Sequence, residues 1–296
     1  MKIRAKTSFF IVATVLVFLA SRLLYVGLFD IGLGIVAMIG CMEMCRMFNL
    51  KNKQNTLIIS ALYPVYFYIV FTICMLARAS IVWYVLSQAI LFVVLLIVAF
   101  LSTIKLGAKY SAKNMLNTMC IMLYPGILFC LLFVANNFET ILNLDLKYLQ
   151  LSYIILSLIL MVSAITDTFA YIFGSLIRGP RLAPKISPNK SVSGALFGIL
   201  GGICASLAIF GLCCAIKPFK DIIVYYNLSI WKFVIIGAIC SIVGQVGDLF
   251  ESWIKRRFEV KDSGNIFPGH GGMLDRVDSE LFNCVAVLLF FIIVII

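Results

Sequence analysis

The feature that most constrains this chain is a succession of apolar stretches, each about 20 residues long, separated by short polar connections. The hydrocarbon core of a bilayer is about 30 Å thick and an α-helix rises about 1.5 Å per residue, so one such stretch is what a single crossing requires. Nine can be traced, at 7–27, 28–48, 56–77, 80–102, 115–135, 150–174, 193–215, 229–253 and 279–296. Because lipid offers no hydrogen bonds, each stretch must satisfy its own backbone. The expected fold is therefore all-α: a polytopic membrane helix bundle of about nine transmembrane helices, with 1–296 as a single membrane domain. A hydrophobic share of 63% against 12% charged agrees, since soluble domains carry about 25% charged residues.

Net charge does not redirect this reading. Twenty-four Lys and Arg against 13 Asp and Glu give +11, a balance that in a soluble protein would suggest nucleic acid. Here the basic residues lie in short clusters between apolar stretches, so no nucleic acid partner is expected and the pattern reads as orientation. The N-terminus and alternate connections hold 18 of the 24: Lys2, Arg4, Lys6, Arg46, Lys51, Lys53, Lys105, Lys109, Lys113, Arg178, Arg181, Lys185, Lys190, Lys255, Arg256, Arg257, Lys261 and Arg276. The other connections hold only Arg22, Arg78, Lys147, Lys217, Lys220 and Lys232. The N-terminus is accordingly expected in the cytosol, and an odd number of spans puts the C-terminus outside. Lys2, Arg4 and Lys6 resemble the start of a signal peptide, but no small-residue cleavage site follows, so an uncleaved first helix is expected. The ten cysteines form no C-x-x-C pair and read as packing residues in a reducing setting. Gly194, Gly198 and Gly202 recur at four-residue spacing, a small face that lets another helix approach closely.

Carboxylates inside apolar spans cost about 2.5 to 3.5 kcal/mol each at mid-helix, so each needs a partner or a task. Asp167 lies within T-D-T-F-A-Y-I-F-G of the sixth span, and a functional and a purely structural role are both open for it. Asp248 and Glu251 lie near the end of the eighth span in G-D-L-F-E-S, and Asp275 and Asp278 open the ninth in L-D-R-V-D-S. A spacing of three is expected to put each pair on one helical face. Two such pairs flanking one loop are candidates to hold divalent cations jointly. Helix capping is the other reading for Asp275.

The loop between them, Ser252 to Asp278, is the most informative stretch of the chain. It gathers Lys255, Arg256, Arg257 and Lys261, the only histidine, His270, and Gly264, Gly269, Gly271 and Gly272. Glycines let backbone N–H groups approach phosphate closely, and the basic residues can neutralise a triphosphate. His270, set in P-G-H-G-G, reads as a substrate contact or a loop-positioning residue ahead of a catalytic base, because phosphoryl chemistry rests mostly on charge and positioning.

The stretch S-W-I-K-R-R-F-E-V-K-D-S-G-N-I-F-P-G-H-G-G-M-L-D-R-V-D resembles the signature of the phosphatidate cytidylyltransferase family, which pairs S-x-x-K-R with K-D, then P-x-H-G-G and D-R-x-D. The preceding G-D-L-F-E-S, the pattern D-x-x-A-Y-x-x-G at Asp167, Ala170, Tyr171 and Gly174, and S-P-N-K-S-V-S-G from Ser187 to Gly194 also match. These motifs confine the likeness to a family-like catalytic half at about 160–296. The resemblance implies an enzyme that joins CTP to the membrane lipid phosphatidic acid, giving CDP-diacylglycerol and pyrophosphate, with Mg2+ at two cation positions. It implies Asp248, Asp275 and Asp278 as metal ligands, with Lys255 and Lys261 completing the catalytic set. Ser187, Lys190, Ser191, Ser252, Arg256, Asp262, His270, Gly271, Gly272, Arg276 and Asp167 are implied as substrate-binding. A CTP-dependent lipid kinase acting on a polyprenol is the alternative. The resemblance places the protein in a bacterial inner membrane with its site facing the cytosol, and admits a homodimer. One position departs: Ser193 stands where the family usually has glutamate.

The orientation is testable by itself. Reporter fusions placed after Lys261 and after Ile296 are expected to give opposite sidedness, and matching sidedness would mean that one span has been miscounted.

Overall fold

The computed structural model describes residue 22 and residues 25–49, 60–77, 81–142, 150–267 and 271–295. Helices dominate: α1 (Val26–Asn49), α2 (Tyr63–Leu76), α3 (Ile81–Leu101), α4 (Ala108–Ile121), α5 (Leu128–Asn136), α6 (Phe138–Ile141), α7 (Leu151–Ile177), α8 (Val192–Ala215), α9 (Lys217–Tyr225), α10 (Ile230–Arg257) and α11 (Asp278–Ile295). Among the described residues seven helical runs are long and apolar enough to cross a membrane, α4 and α5 forming one run of 29 residues through a π-helical turn at Met122–Ile127. At 14 residues, α2 is a shorter apolar helix. The seven runs lie on the expected second span and on the fourth to the ninth, while the expected third, 56–77, holds only the short α2. The first, 7–27, falls almost wholly outside the described residues.

The fold is thus an all-α polytopic bundle, to which the structure adds one feature where the sequence suggests only loop. Between α7 and α8 a two-stranded antiparallel hairpin forms from β1 (Arg181–Ala183) and β2 (Ser187–Ser191), with Arg181 opposite Ser191 and Ala183 opposite Ser187. Strands of three and five residues are too short to show an alternating pattern in sequence.

The chain gathers into two compact units, Met1–Phe133 with Phe258–Arg276, and Val134–Arg257 with Val277–Ile296. The chain passes between them three times, so neither is one continuous stretch of sequence. In the first unit, aromatic side chains fill the interior: Phe133 stacks on Tyr68 at 4.9 Å between ring centroids, and Tyr84 meets Phe71 edge-on at 5.2 Å. Such pairs add about 0.5 to 1.5 kcal/mol each beyond the area they bury.

The second unit is built on the small-residue face of α8. Gly194 lies against the Ala170 carbonyl and the Gly174 Cα of α7, Gly198 against Thr166 and Ala170, and Gly202 against Thr166 and Ser241. Without side chains at these positions α8 fits closely between α7 and α10, and Thr166 and Ser241 share a buried hydrogen bond of 2.9 Å beside Gly202. Van der Waals contact of this kind, helped by interhelical hydrogen bonds, is what drives helices together in lipid. At the far end of α7, Glu139 accepts the Ser152 N–H at 2.6 Å and also the Ser152 hydroxyl. That places a carboxylate on the positive end of the helix dipole.

The close approach gives a test. A Cβ at Gly202 would run into the Ser241 hydroxyl, whereas one at Gly211 on the same helix would meet nothing within 4 Å. Gly202→Val is expected to cost about 1 to 3 kcal/mol by overpacking, read as a lower unfolding temperature in detergent. Gly211→Ala should stay within about 0.5 kcal/mol of the parent.

Candidate active site

Helix α10 ends in a polar face. Asp248, Glu251, Ser252 and Lys255 follow one another at i, i+3, i+4 and i+7, a spacing that the 3.6-residue period stacks on one side. Glu251, Ser252 and Lys255 are buried. The Lys255 ammonium lies 3.5 Å from the Glu251 carboxylate, and the Ser252 hydroxyl donates toward Asp248 Oδ1 at 3.4 Å. The helix closes on Lys255, Arg256 and Arg257, cations where the dipole favours them.

Two other elements of the same unit bring charges to this face. Strand β2 delivers Lys190, whose ammonium forms an ion pair with Asp248, each side chain 26% exposed. Helix α11 delivers Asp278, its first residue, which is buried and accepts the Ser279 N–H at 2.7 Å. Asp278 interacts with Glu251, Asp248 and Lys255, and Glu280 two residues on interacts with both Asp278 and Asp167 of α7. Carboxylates therefore outnumber ammonium groups in this cluster. In a partly desolvated setting such an excess repels itself strongly, which favours capture of a cation.

The remaining expected residues of this unit frame the face. Ser191 is the N-cap of α8, its hydroxyl accepting the Gly194 N–H at 3.1 Å, and Ser187 stands at the other end of β2. Arg256 Nε donates to the Ile186 carbonyl at 3.3 Å, which steadies the turn of the hairpin. The departing residue, Ser193, is employed: its hydroxyl accepts the Gly179 N–H at 3.2 Å and lies 3.1 Å from the Ser191 hydroxyl. It ties the left-handed end of α7 at Arg178 to the start of α8.

The loop residues belong to the first unit and are organised there by two carboxylates. Asp275 does not share a helical face with Asp278 as expected, because α11 begins only at Asp278 and Asp275 sits in the 3-10 turn Leu274–Arg276. The reason is its own hydrogen bonding: Asp275 Oδ2 accepts the N–H groups of Ser263 at 2.9 Å and Gly272 at 2.8 Å, folding the loop back on itself. Gly271 has φ +86°, a left-handed conformation that a side chain would strain, and its Cα hydrogen faces the same carboxylate. Gly272 thus spends its N–H on Asp275. Lys261, Asp262 and Arg276 are exposed on this loop, and His270 lies outside the described residues.

The second organising carboxylate is one that the sequence reading passes over. Glu43, 1% exposed near the end of α1, accepts the Ser263 hydroxyl at 3.0 Å and the N–H groups of Met273 and Leu274, both at 2.9 Å. A signal for it exists, since a glutamate in the apolar run I-G-C-M-E-M-C falls under the same rule that singles out Asp167.

Comparison with known proteins gives the family. The sequence profile of the cytidylyltransferase family matches residues 2–294, so the likeness extends through the N-terminal half, where no motif is legible. Proteins named phosphatidate cytidylyltransferase are similar: that of Staphylococcus saprophyticus is 47% identical over 118 residues, 40% of this chain and 41% of the relative. That of Rickettsia felis is 46% identical over 127 residues, 43% and 52% of the two chains. That of Staphylococcus epidermidis is 42% identical over 137 residues, 46% of each. The matched stretches span about two-fifths to one-half of the length of these relatives. With the profile covering nearly every residue, and with the polar end of α10 set beside Lys190 and Asp278, the chain belongs to the cytidylyltransferase family.

Proposed function

We propose that this protein transfers CMP from CTP to phosphatidic acid, giving CDP-diacylglycerol and pyrophosphate, at the cytosolic face of a bacterial inner membrane. The observation that carries the reading is the polar face of α10, where Asp248, Glu251, Ser252 and Lys255 meet Lys190 and Asp278. The similarity to proteins of Staphylococcus and Rickettsia named phosphatidate cytidylyltransferase supports it. A lipid substrate gives a physical reason for the setting, because CTP arrives from water while phosphatidic acid arrives sideways through the bilayer.

A phosphatidate oxygen attacks the α-phosphorus of CTP, and the bond from that phosphorus to the oxygen bridging the α- and β-phosphates breaks, releasing pyrophosphate. Both reactants are anions, so catalysis is mainly suppression of repulsion and placement in line. Asp248 and Asp278 are hard oxygen donors that lie near each other and suit Mg2+, which takes one or two carboxylates and completes its shell with water and substrate phosphate. Among the described residues no three His, Cys, Asp or Glu side chains form a ready-made metal cage, so water and substrate phosphate would have to supply most of the shell. When bound there, Mg2+ would neutralise charge on the phosphates and on the leaving pyrophosphate.

The chain's own residues do the rest. Lys255, held against Glu251, is a fixed positive charge at the helix end, and Lys190 can exchange Asp248 for a phosphate oxygen when a cation takes the carboxylate. Arg256, with its Nε tied to Ile186, adds a guanidinium at the same helix end, a group suited to phosphate oxygens. Lys261, an exposed ammonium on the loop of the first unit, is a further candidate for nucleotide contact.

The position of a transferred label separates this reaction from phosphorylation by CTP. Membranes containing the protein are expected to convert α-labelled CTP and phosphatidic acid into a labelled liponucleotide, to leave lipid unlabelled from γ-labelled CTP, and to stop on thorough chelation with EDTA. Lipid that acquires γ-label without cytidine would overturn the assignment in favour of a lipid kinase.

A further inference from the structure

Glu43 sits in the N-terminal half of the chain, yet it is engaged entirely with the signature loop 220 to 231 residues later. Its Oε2 accepts the Ser263 hydroxyl and the Leu274 N–H, and its Oε1 accepts the Met273 N–H. The neighbouring N–H of Gly272 and the N–H of Ser263 go to Asp275. Consecutive N–H groups at residues 272, 273 and 274 therefore converge on two carboxylates, as the backbone nests that bind phosphate converge on an anion. Here the anions are the protein's own.

The glycines make room for this. A Cβ at Gly272 would collide with both oxygens of Glu43, and one at Gly264 with Oε1, so a side chain at either position would push the carboxylate off its donors. The G-G pair of the signature is thus shaped around an internal carboxylate. Ser263 is the link, giving its hydroxyl to Glu43 and its N–H to Asp275.

We infer that Glu43 is a positioning residue: it holds residues 263–264 and 272–274 of the signature loop, and through them the neighbouring Lys261 and Asp262, in place for the nucleotide. The inference rests on the function proposed above for its kinetic consequence, but the anchoring itself does not depend on that reading. Glutamine is the discriminating replacement. It keeps the size of the side chain but offers one carbonyl in place of two acceptor oxygens, and its NH2 would face a backbone N–H.

The experiment uses the full chain in detergent or nanodiscs, wild type against Glu43→Gln, with two readouts. Amide hydrogen exchange over 262–275 should speed up by about tenfold or more, as expected when hydrogen bonds to a charged acceptor are lost, while exchange in α7, α8 and α10 stays unchanged. The KM for CTP, and the Kd for labelled CTP at equilibrium, should rise by about tenfold, with the KM for phosphatidic acid within about twofold of wild type. A role confined to stability would lower the folded fraction, so Vmax would fall while both KM values stayed put, and that result overturns the proposal. So does unchanged exchange over 262–275. If Glu43→Gln does not fold, Ser263→Ala removes one of the three contacts, and the same two shifts, smaller in size, are required of it. Should the wild type itself transfer no CMP, the exchange and CTP-binding readouts still decide the anchoring, and the failure falls on the proposed reaction alone.

Discussion

A charge taken out of water must be matched by another charge or by hydrogen bonds, and this single constraint decides where the ionisable groups of the structure sit. Moving a carboxylate or ammonium into a low-dielectric interior costs several kcal/mol even after relaxation. The protein places such groups at helix ends, where loops supply partners. Glu43 takes two backbone N–H groups and a hydroxyl, Glu139 takes the Ser152 N–H and hydroxyl, Asp248 takes Lys190 and Glu251 takes Lys255. The middle of each span is left mainly to apolar and small residues. Helix ends are thus where charge is assembled at least cost.

Packing then sets which charges meet. In the second unit, glycines on α8 allow α7 and α10 to approach closely, and the hairpin between α7 and α8 is thereby fixed over the polar end of α10. Lys190 reaches Asp248 only because of that hairpin. The serine at 193 belongs to the same joint, holding the end of α7 to the start of α8 through Gly179. Its role here is local and neutral, made through Gly179 and Ser191.

The spans are legible in the amino-acid sequence because about 20 apolar residues in a row have one stable use, and helices form on each expected span from the second onward. Asp248 and Asp278 are legible because carboxylates within or beside apolar runs need a partner or a task, and they do come together. Asp275 defeats the same reasoning, since a spacing of three from Asp278 implies a shared face only if both lie in one helix, and its hydrogen bonds to Ser263 and Gly272 keep it in the loop. Glu43 escapes for a different reason. Its partners lie more than 200 residues away along the chain, and two of the three are backbone N–H groups, which leave no trace in residue identity. The glycines of P-G-H-G-G stand out in sequence and suggest phosphate, because sequence cannot say which anion a glycine makes room for.

We propose that the carboxylates gathered at the end of α10 and the start of α11 hold a divalent cation. Titrating purified protein with Mn2+ in the presence of CTP, and following free Mn2+ by its EPR signal, tests it without relying on turnover. The account predicts saturable binding in the wild type, and in both Asp248→Asn and Asp278→Asn a loss of affinity of about tenfold or more, with the unfolding temperature in detergent close to wild type. Both variants binding Mn2+ as tightly as the wild type would contradict it.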